Sequence, residues 1–114
     1  MLPGDVNFWK SFRKSFKLGC ELSVLDGRRW VFHGHVQGVG FRVTTCRLAT
    51  AFPVRGYVRN QDDGTVEVVC WGDPTTLDAF EAAILREHGS RIRYHSTTVL
   101  QNTGPIPDSF TIQY

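Results

Sequence analysis

The chain has 114 residues, 41% of them hydrophobic and 21% charged, and its formal net charge is +2. This composition is typical of a single soluble domain, and a chain of this length can fold without a metal or a disulfide framework. The cysteines at 20, 46 and 70 form no Cys-x-x-Cys pair and have no histidine at ligand spacing, which argues against a zinc site or a disulfide-stapled secreted scaffold. The sequence also lacks a secretory signal and an apolar run of the roughly 18 residues that span a membrane, so we predict a cytoplasmic protein without a cofactor.

Residues 1–28 are predicted to form an extension in front of a domain over residues 29–114. Every lysine of the chain, Lys10, Lys14 and Lys17, lies in this extension, whereas all basic residues from position 31 onward are arginines. Apolar residues between positions 6 and 18 fall on one helical face, and such a helix could contact a membrane or a partner protein. The simpler interpretation, which we adopt, is an extension without that contact.

The first half of the domain reads as a strand, a turn and a helix. Apolar residues alternate over Arg29–Val36, which predicts a strand with one face on a core. A Gly-rich turn, Gln37–Gly40, follows it. Apolar residues then recur at helical spacing over Phe41–Phe52, and Pro53 is expected to end this helix because its ring cannot continue it.

The second half predicts a hairpin, a second helix and two further strands. Val54–Asn60 and Thr65–Trp71 flank an Asp-Gly pair, which is a strong hairpin signal. Asp73 suits the N-cap and Pro74 the first position of a helix that Gly89 ends. Ile92–Gln101 and Ser109–Tyr114 are the last strand predictions. The order predicts an α+β fold, a ferredoxin-like βαββαβ sandwich whose antiparallel sheet carries two helices on one face and a short fifth strand.

The turn between the first strand and the first helix has the features of an anion site. A helix begins there with backbone N–H groups that have no partner inside the helix, and Gly38 and Gly40 allow those groups to converge. Arg42 lies in the first helical turn, where its charge opposes the helix dipole unless an anion neutralises it. Its planar guanidinium also matches two phosphate oxygens. These features indicate a phosphate site, although a solvated surface arginine remains the alternative.

Two motifs in this region resemble those of the acylphosphatase family. The first is Gly34-x-Val36-Gln37-Gly38-Val39-x-Phe41-Arg42, and the second is Gly56-Tyr57-Val58-Arg59-Asn60 followed by Asp63-Gly64-x-Val66-Glu67. The closing run Phe110-x-Ile112-x-Tyr114 is also similar to the last strand of that family. The resemblance covers roughly residues 30 to 114.

This resemblance implies hydrolysis of the carboxyl-phosphate bond of a small acyl phosphate, without a metal or a covalent intermediate. By position, it implies that Arg42 and the N–H groups of Gln37, Gly38, Val39, Gly40, Phe41 and Arg42 hold the phosphate, while Asn60 orients the attacking water. Judged from the residues alone, Asn60 is better explained as an ordinary hairpin residue, since Asn is common at such positions. Three departures from the family pattern, His35, Gln61 and Pro53, remove no implied catalytic group.

Two other functions are compatible with parts of the sequence. A ferredoxin-like sheet is also the frame of RNA-recognition domains, and Gly38–Phe41 faintly resembles their RNP1 run, but the domain lacks the basic excess for nucleic-acid binding. The second alternative is an acylphosphatase-like domain whose main task lies elsewhere, similar to the N-terminal domain of hydrogenase-maturation proteins. Because the chain ends at Tyr114, we expect a free-standing monomeric enzyme that binds no nucleic acid.

Overall fold

A computed structural model describes residues 25–101 and 104–114 of the chain. In chain order its elements are β1 (Asp26–Gly34), α1 (Phe41–Ala49), β2 (Arg55–Asn60), β3 (Val66–Gly72), α2 (Pro74–His88), a 3₁₀ turn (Gly89–Arg91), β4 (Ile92–Leu100) and β5 (Phe110–Gln113). The strands form one sheet in the order β4-β1-β3-β2-β5. The predicted ferredoxin-like arrangement is therefore confirmed. The amphipathic segment predicted over residues 6–18 lies outside the described residues, and no described helix is long and apolar enough to cross a membrane.

The first four strands pair in the antiparallel sense, as predicted, but β5 pairs with β2 in the parallel sense. The sheet is thus mixed. The alternating residues of β5 identify a strand without giving its direction. Its direction follows from topology, because β4 ends at the sheet end where β2 begins, and the chain crosses that end before β5 starts beside β2.

One face of the sheet carries the hydrophobic core. Trp30 of β1 is paired with Val68 of β3, which is paired in turn with Val58 of β2, so all three point to the same side. Both helices add buried residues to this cluster. Its members are Trp30, Phe32, Val36, Phe41, Ala49, Val54, Val58, Val66, Val68, Cys70, Leu77, Phe80 and Ile84. The apolar residues that alternate along the strands and those at helical spacing in the two helices therefore pack together on one face of the sheet.

On the opposite face a buried carboxylate joins three neighbouring strands. Glu67 of β3 accepts a hydrogen bond of 2.5 Å from the Nε of Arg29 in β1 and one of 2.6 Å from the Nε of Arg59 in β2. Burial alone would raise the pKa of Glu67, but the hydrogen bonds and charges of the two arginines outweigh burial, and the pKa is lowered. The charged form of Glu67 therefore cross-links the strands that carry the site described below.

Helix α1 is shorter than the sequence predicts. It ends at Ala49 and not at Phe52, because the next residues form tighter bonds of the i to i−3 type: the N–H of Ala51 donates to Leu48 and that of Phe52 to Ala49. Thr50 also donates its hydroxyl to the Arg47 carbonyl at 2.7 Å. Helix α2 begins and ends as predicted, with Asp73 at the N-cap, Pro74 at the first position and Gly89 at the C-cap.

Candidate active site

The sheet register brings the ends of β1 and β2 to the same level. Phe32 of β1 and Asn60 of β2 are both paired with Val66 of the intervening strand β3. Because β3 is antiparallel to both neighbours, β1 and β2 run in the same direction and end at the same edge of the sheet. Asn60 therefore lies about two strand spacings, roughly 10 Å, from the end of β1. The turn that follows β1 starts from this edge.

The turn after β1 has the conformation of an anion-binding loop. Gly38 and Gly40 both have φ of 80°, in the left-handed region. A Cβ atom at either position would meet nothing within 4 Å, so the need for glycine at this atom is conformational and not steric. Gly40 is the N-cap of α1 and no side chain caps this helix. The backbone N–H groups of residues 37–43 donate no hydrogen bond to an acceptor in the described part of the chain. They are therefore available to a ligand.

A cavity of about 110 Å³ lies at this helix terminus. Its lining is Val36, Gly38, Gly40, Phe41, Arg42, Val43 and Asn60. Arg42 and Asn60, predicted from separate motifs, therefore share one cavity. Its volume is several times the ~10–15 Å³ that one water requires, which leaves room for an oxyanion together with a water molecule.

Arg42 presents a charge that no carboxylate neutralises within the described residues. Its guanidinium carbon lies 4.9 Å from the centre of the Tyr114 ring, a cation–π contact that leaves the N–H groups available to an anion. Tyr114 reaches this place because Arg59 is the register partner of Gln113, which sets Tyr114 at the level of Asn60. The sequence motifs included Tyr114 in the last strand but gave no sign of its contact with Arg42.

Four of the six predicted phosphate-binding residues line the cavity, and the other two do not. Gly38, Gly40, Phe41 and Arg42 line the cavity, whereas Val39 packs against the hydrophobic core. The side chain of Phe41 is also in the core, stacked against His88 with ring centres 3.7 Å apart, so the backbone of Phe41 is what it can offer to a ligand. Gln37 does not line the cavity; its side chain binds carbonyl groups of the β2–β3 hairpin.

A protein-family model described as Acylphosphatase matches residues 28–112, well over half of the chain. The chain belongs to the acylphosphatase family. A curated acylphosphatase of Yersinia pseudotuberculosis is 40% identical over 83 residues, which are 72% of this chain and 89% of the relative. Other curated acylphosphatases reach 47–52% identity over shorter alignments, and the chain spans only 54–65% of their length.

Solved structures show the same acylphosphatase fold. The crystal structure of acylphosphatase from Bacillus subtilis is similar with a TM-score of 0.70 and 32% identity, over 79% of this chain and 99% of that one. The HypF protein of T. kodakarensis is similar over 78% of this chain but only 12% of its own length, with a TM-score of 0.67 and 26% identity. The fold thus occurs both as a small protein and as part of a much longer one.

The histidines of this acylphosphatase-family chain have side-chain contacts away from the cavity or lie at the surface. His33 stacks on Tyr94, His88 is buried against Phe41, and His95 bonds Glu81 at 2.7 Å. His35 is exposed. None of the four lines the cavity, so the candidate site contains no imidazole.

The cysteines within the described residues also lie outside the cavity. Burial raises the pKa of the Cys70 thiol to about 12, which keeps it protonated and unreactive. The Cys46 thiol is half-buried, 3.8 Å from the Phe110 carbonyl oxygen. Across the described residues, no three His, Cys, Asp or Glu side chains cluster so that they could hold a metal ion.

Proposed function

We propose that this protein is an acylphosphatase that hydrolyses the carboxyl-phosphate bond of small acyl phosphates by direct attack of water on phosphorus. The cavity carries the proposal, because it unites an uncapped helix terminus, an arginine that no carboxylate of the described residues neutralises, and an amide side chain. The first two features suit a phosphoryl group, and the third suits a water molecule beside it.

Arg42 and the loop N–H groups would bind the phosphoryl oxygens. Backbone donors at a helix N-terminus favour anions through both their hydrogen atoms and the helix dipole. The guanidinium adds two parallel donors and a full positive charge. Bound phosphate would in turn remove the unfavourable interaction between Arg42 and the dipole of α1.

Asn60 would orient the water. Its amide oxygen can accept a hydrogen bond from water, while its NH₂ group remains free to donate to a neighbour. The leaving carboxylate of an acyl phosphate is stable without protonation, so positioning and charge stabilisation can supply the catalysis. A phosphoryl oxygen of the substrate can accept the proton of the water, and we therefore propose a reaction without a protein base, a metal or a cofactor.

Replacement of Arg42 and Asn60 separates binding from turnover. We expect Arg42→Ala to weaken competitive inhibition by inorganic phosphate about 10- to 100-fold, the loss expected for a charged hydrogen bond. We expect Asn60→Ala to lower kcat about 100-fold with a small change in phosphate inhibition, because it affects only the water. The measurement is steady-state hydrolysis of benzoyl phosphate with phosphate as inhibitor.

Arg47→Ala is the matched control, since Arg47 lies on the same helix with its side chain 61% exposed and outside the cavity. It should behave as the wild type. Near-normal turnover in Asn60→Ala, or unchanged phosphate inhibition in Arg42→Ala, would contradict the proposed roles.

We further infer a cytoplasmic monomer that binds no nucleic acid and whose residues before Asp26 are not needed for the reaction. The buried, unreactive Cys70 suits a reducing compartment. The run Gly38–Phe41 lies in a loop and the start of a helix and not on a central strand, which argues against an RNP1 role. Strand β1 begins at Asp26, so the last residues of the predicted extension belong to the sheet.

A further inference from the structure

The side chain of Gln37 connects the phosphate-binding loop to the hairpin that carries Asn60. Its Nε2 atom donates to the carbonyl oxygens of Gln61 and Thr65, both at 2.8 Å. Gln61 directly follows Asn60, and Thr65 directly precedes β3. The N–H of Gln61 also donates to the Thr65 carbonyl at 2.9 Å. Gln37 therefore binds the two residues that close the loop of the hairpin.

A glutamine amide is suited to this contact because its NH₂ group has two hydrogen atoms. Each of them meets one carbonyl group, and the bonds link segments 24 and 28 residues apart in the chain. The contact is half-buried, where a hydrogen bond contributes about 1 kcal/mol and an unsatisfied partner costs more. No other residue type of similar length offers two neutral donors from one nitrogen atom.

The receiving hairpin is itself held in place. The Asp63 carboxylate accepts hydrogen bonds from the Thr65 N–H at 3.1 Å and the Thr65 hydroxyl at 2.6 Å. The side-chain amide of Gln61 donates to the same hydroxyl at 3.0 Å. These bonds fix the two carbonyl groups independently of Gln37. The connection can therefore transmit the position of the hairpin to the loop.

We propose that Gln37 is a positioning residue that sets the distance between the phosphate loop and Asn60. This inference rests on the proposed function. The loop N–H groups and Arg42 lie on one side of the connection, and Asn60 lies on the other. Loss of the connection would leave phosphate binding intact but would misplace the water relative to phosphorus, and a displacement of about 1 Å can cost 100-fold in rate.

The test is a double-mutant cycle with Gln37→Met and Asn60→Ala. Methionine keeps the length of the side chain but has no N–H donor. We expect Gln37→Met to lower kcat for benzoyl phosphate at least 10-fold and to change phosphate inhibition less than 3-fold, as for misplacement of one reacting group. In the Asn60→Ala background, Gln37→Met should lower kcat less than 2-fold, because the amide group relative to which Gln37 positions the loop is gone.

The exposed Gln101 provides the matched control. Gln101→Met should leave all constants unchanged. Gln37→Asn, which keeps the amide but is one methylene too short to reach both carbonyls, should give an intermediate kcat and serves if the methionine variant does not fold. Equal losses from Gln37→Met with and without Asn60, or a loss of phosphate binding that matches the loss of kcat, would overturn the proposal.

An NMR measurement separates this inference from the proposed reaction. The connection predicts that Gln37→Met shifts the side-chain amide resonances of Asn60, whereas Gln101→Met does not. If the wild type hydrolyses no acyl phosphate but these resonances shift, the proposed reaction is wrong and the positioning contact stands. If the wild type is active and the resonances do not shift, the positioning role is wrong.

Discussion

His88, at the end of α2, is a neutral imidazole in the protein interior. Its side chain is 3% exposed, its ring stacks on Phe41, and its Nε2 lies 3.3 Å from the Thr45 hydroxyl. Burial, with a smaller contribution from the charge of Arg91, lowers the pKa of His88 from 6.5 to about 4; Glu87 opposes this shift. Phe41 follows the N-cap Gly40, so the ring of His88 packs against the first residue of α1.

This pKa predicts acid sensitivity of the fold. Below pH 6.5 the unfolded chain binds a proton at His88 that the folded protein does not bind until about pH 4. The free energy of unfolding should therefore decrease as the pH is lowered through this window. His88 contributes at most about 1.4 kcal/mol per pH unit to this decrease. His88→Phe retains the ring stack without the titrating group, so its free energy of unfolding should change less with pH.

Urea unfolding at a series of pH values between 6.5 and 4.5 measures this slope. At the lower end of this window an ordinary glutamate, with a pKa of about 4.3, still keeps more than half of its charge, and the pKa of Glu67 is lower still. His88→Phe is compared with the wild type at each pH, so that contributions common to the two proteins cancel. A wild-type slope in His88→Phe would contradict the buried neutral imidazole.

At the scale of elements, the parallel pairing of β5 with β2 adds an aromatic ring to the site. Gln113 is level with Arg59. Tyr114 extends past it, 96% exposed, and its ring contacts the Arg42 guanidinium. The Tyr114 ring therefore makes no contribution to the hydrophobic core. We expect the ring to hold the Arg42 guanidinium beside the loop before an anion binds.

Substitution of Tyr114 tests this contact. A cation–π interaction at an exposed site contributes about 0.5–1 kcal/mol, so Tyr114→Ala should weaken inhibition by phosphate about 2- to 5-fold. Tyr114→Phe retains the ring and should bind phosphate as the wild type does. Equal phosphate inhibition constants in the two variants would show that the ring does not contribute.

The sequence predicted the elements because their signals are local. The Asp-Gly pair, the Asp73-Pro74 start and the Gly89 stop of α2 act within a few residues, and the structure has all three features. The predicted end of α1 is three residues too late. The tight turns after Ala49 replace the last helical turn, and the apolar pattern does not distinguish them from helix. The direction of β5 depends on the whole sheet and could not be read from four alternating residues.

At the scale of the molecule, the site forms where three strands of one direction end. The phosphate loop follows β1, Asn60 ends β2 and Tyr114 follows β5. These strands are parallel to one another, and all end at one edge of the sheet. Local sequence patterns predicted the loop and Arg42 as an anion site. The approach of Asn60 required the register through Val66, which depends on pairings between distant segments.

The reaction itself can be followed with isotopically labelled water. We would incubate the protein with acetyl phosphate in H₂¹⁸O with excess EDTA and analyse both products by mass spectrometry. Because the cavity places water beside a bound phosphoryl group, we expect one ¹⁸O atom in the released phosphate and none in the acetate, at a rate that EDTA does not change. Label in the acetate, or loss of the reaction with EDTA, would contradict metal-free attack of water on phosphorus.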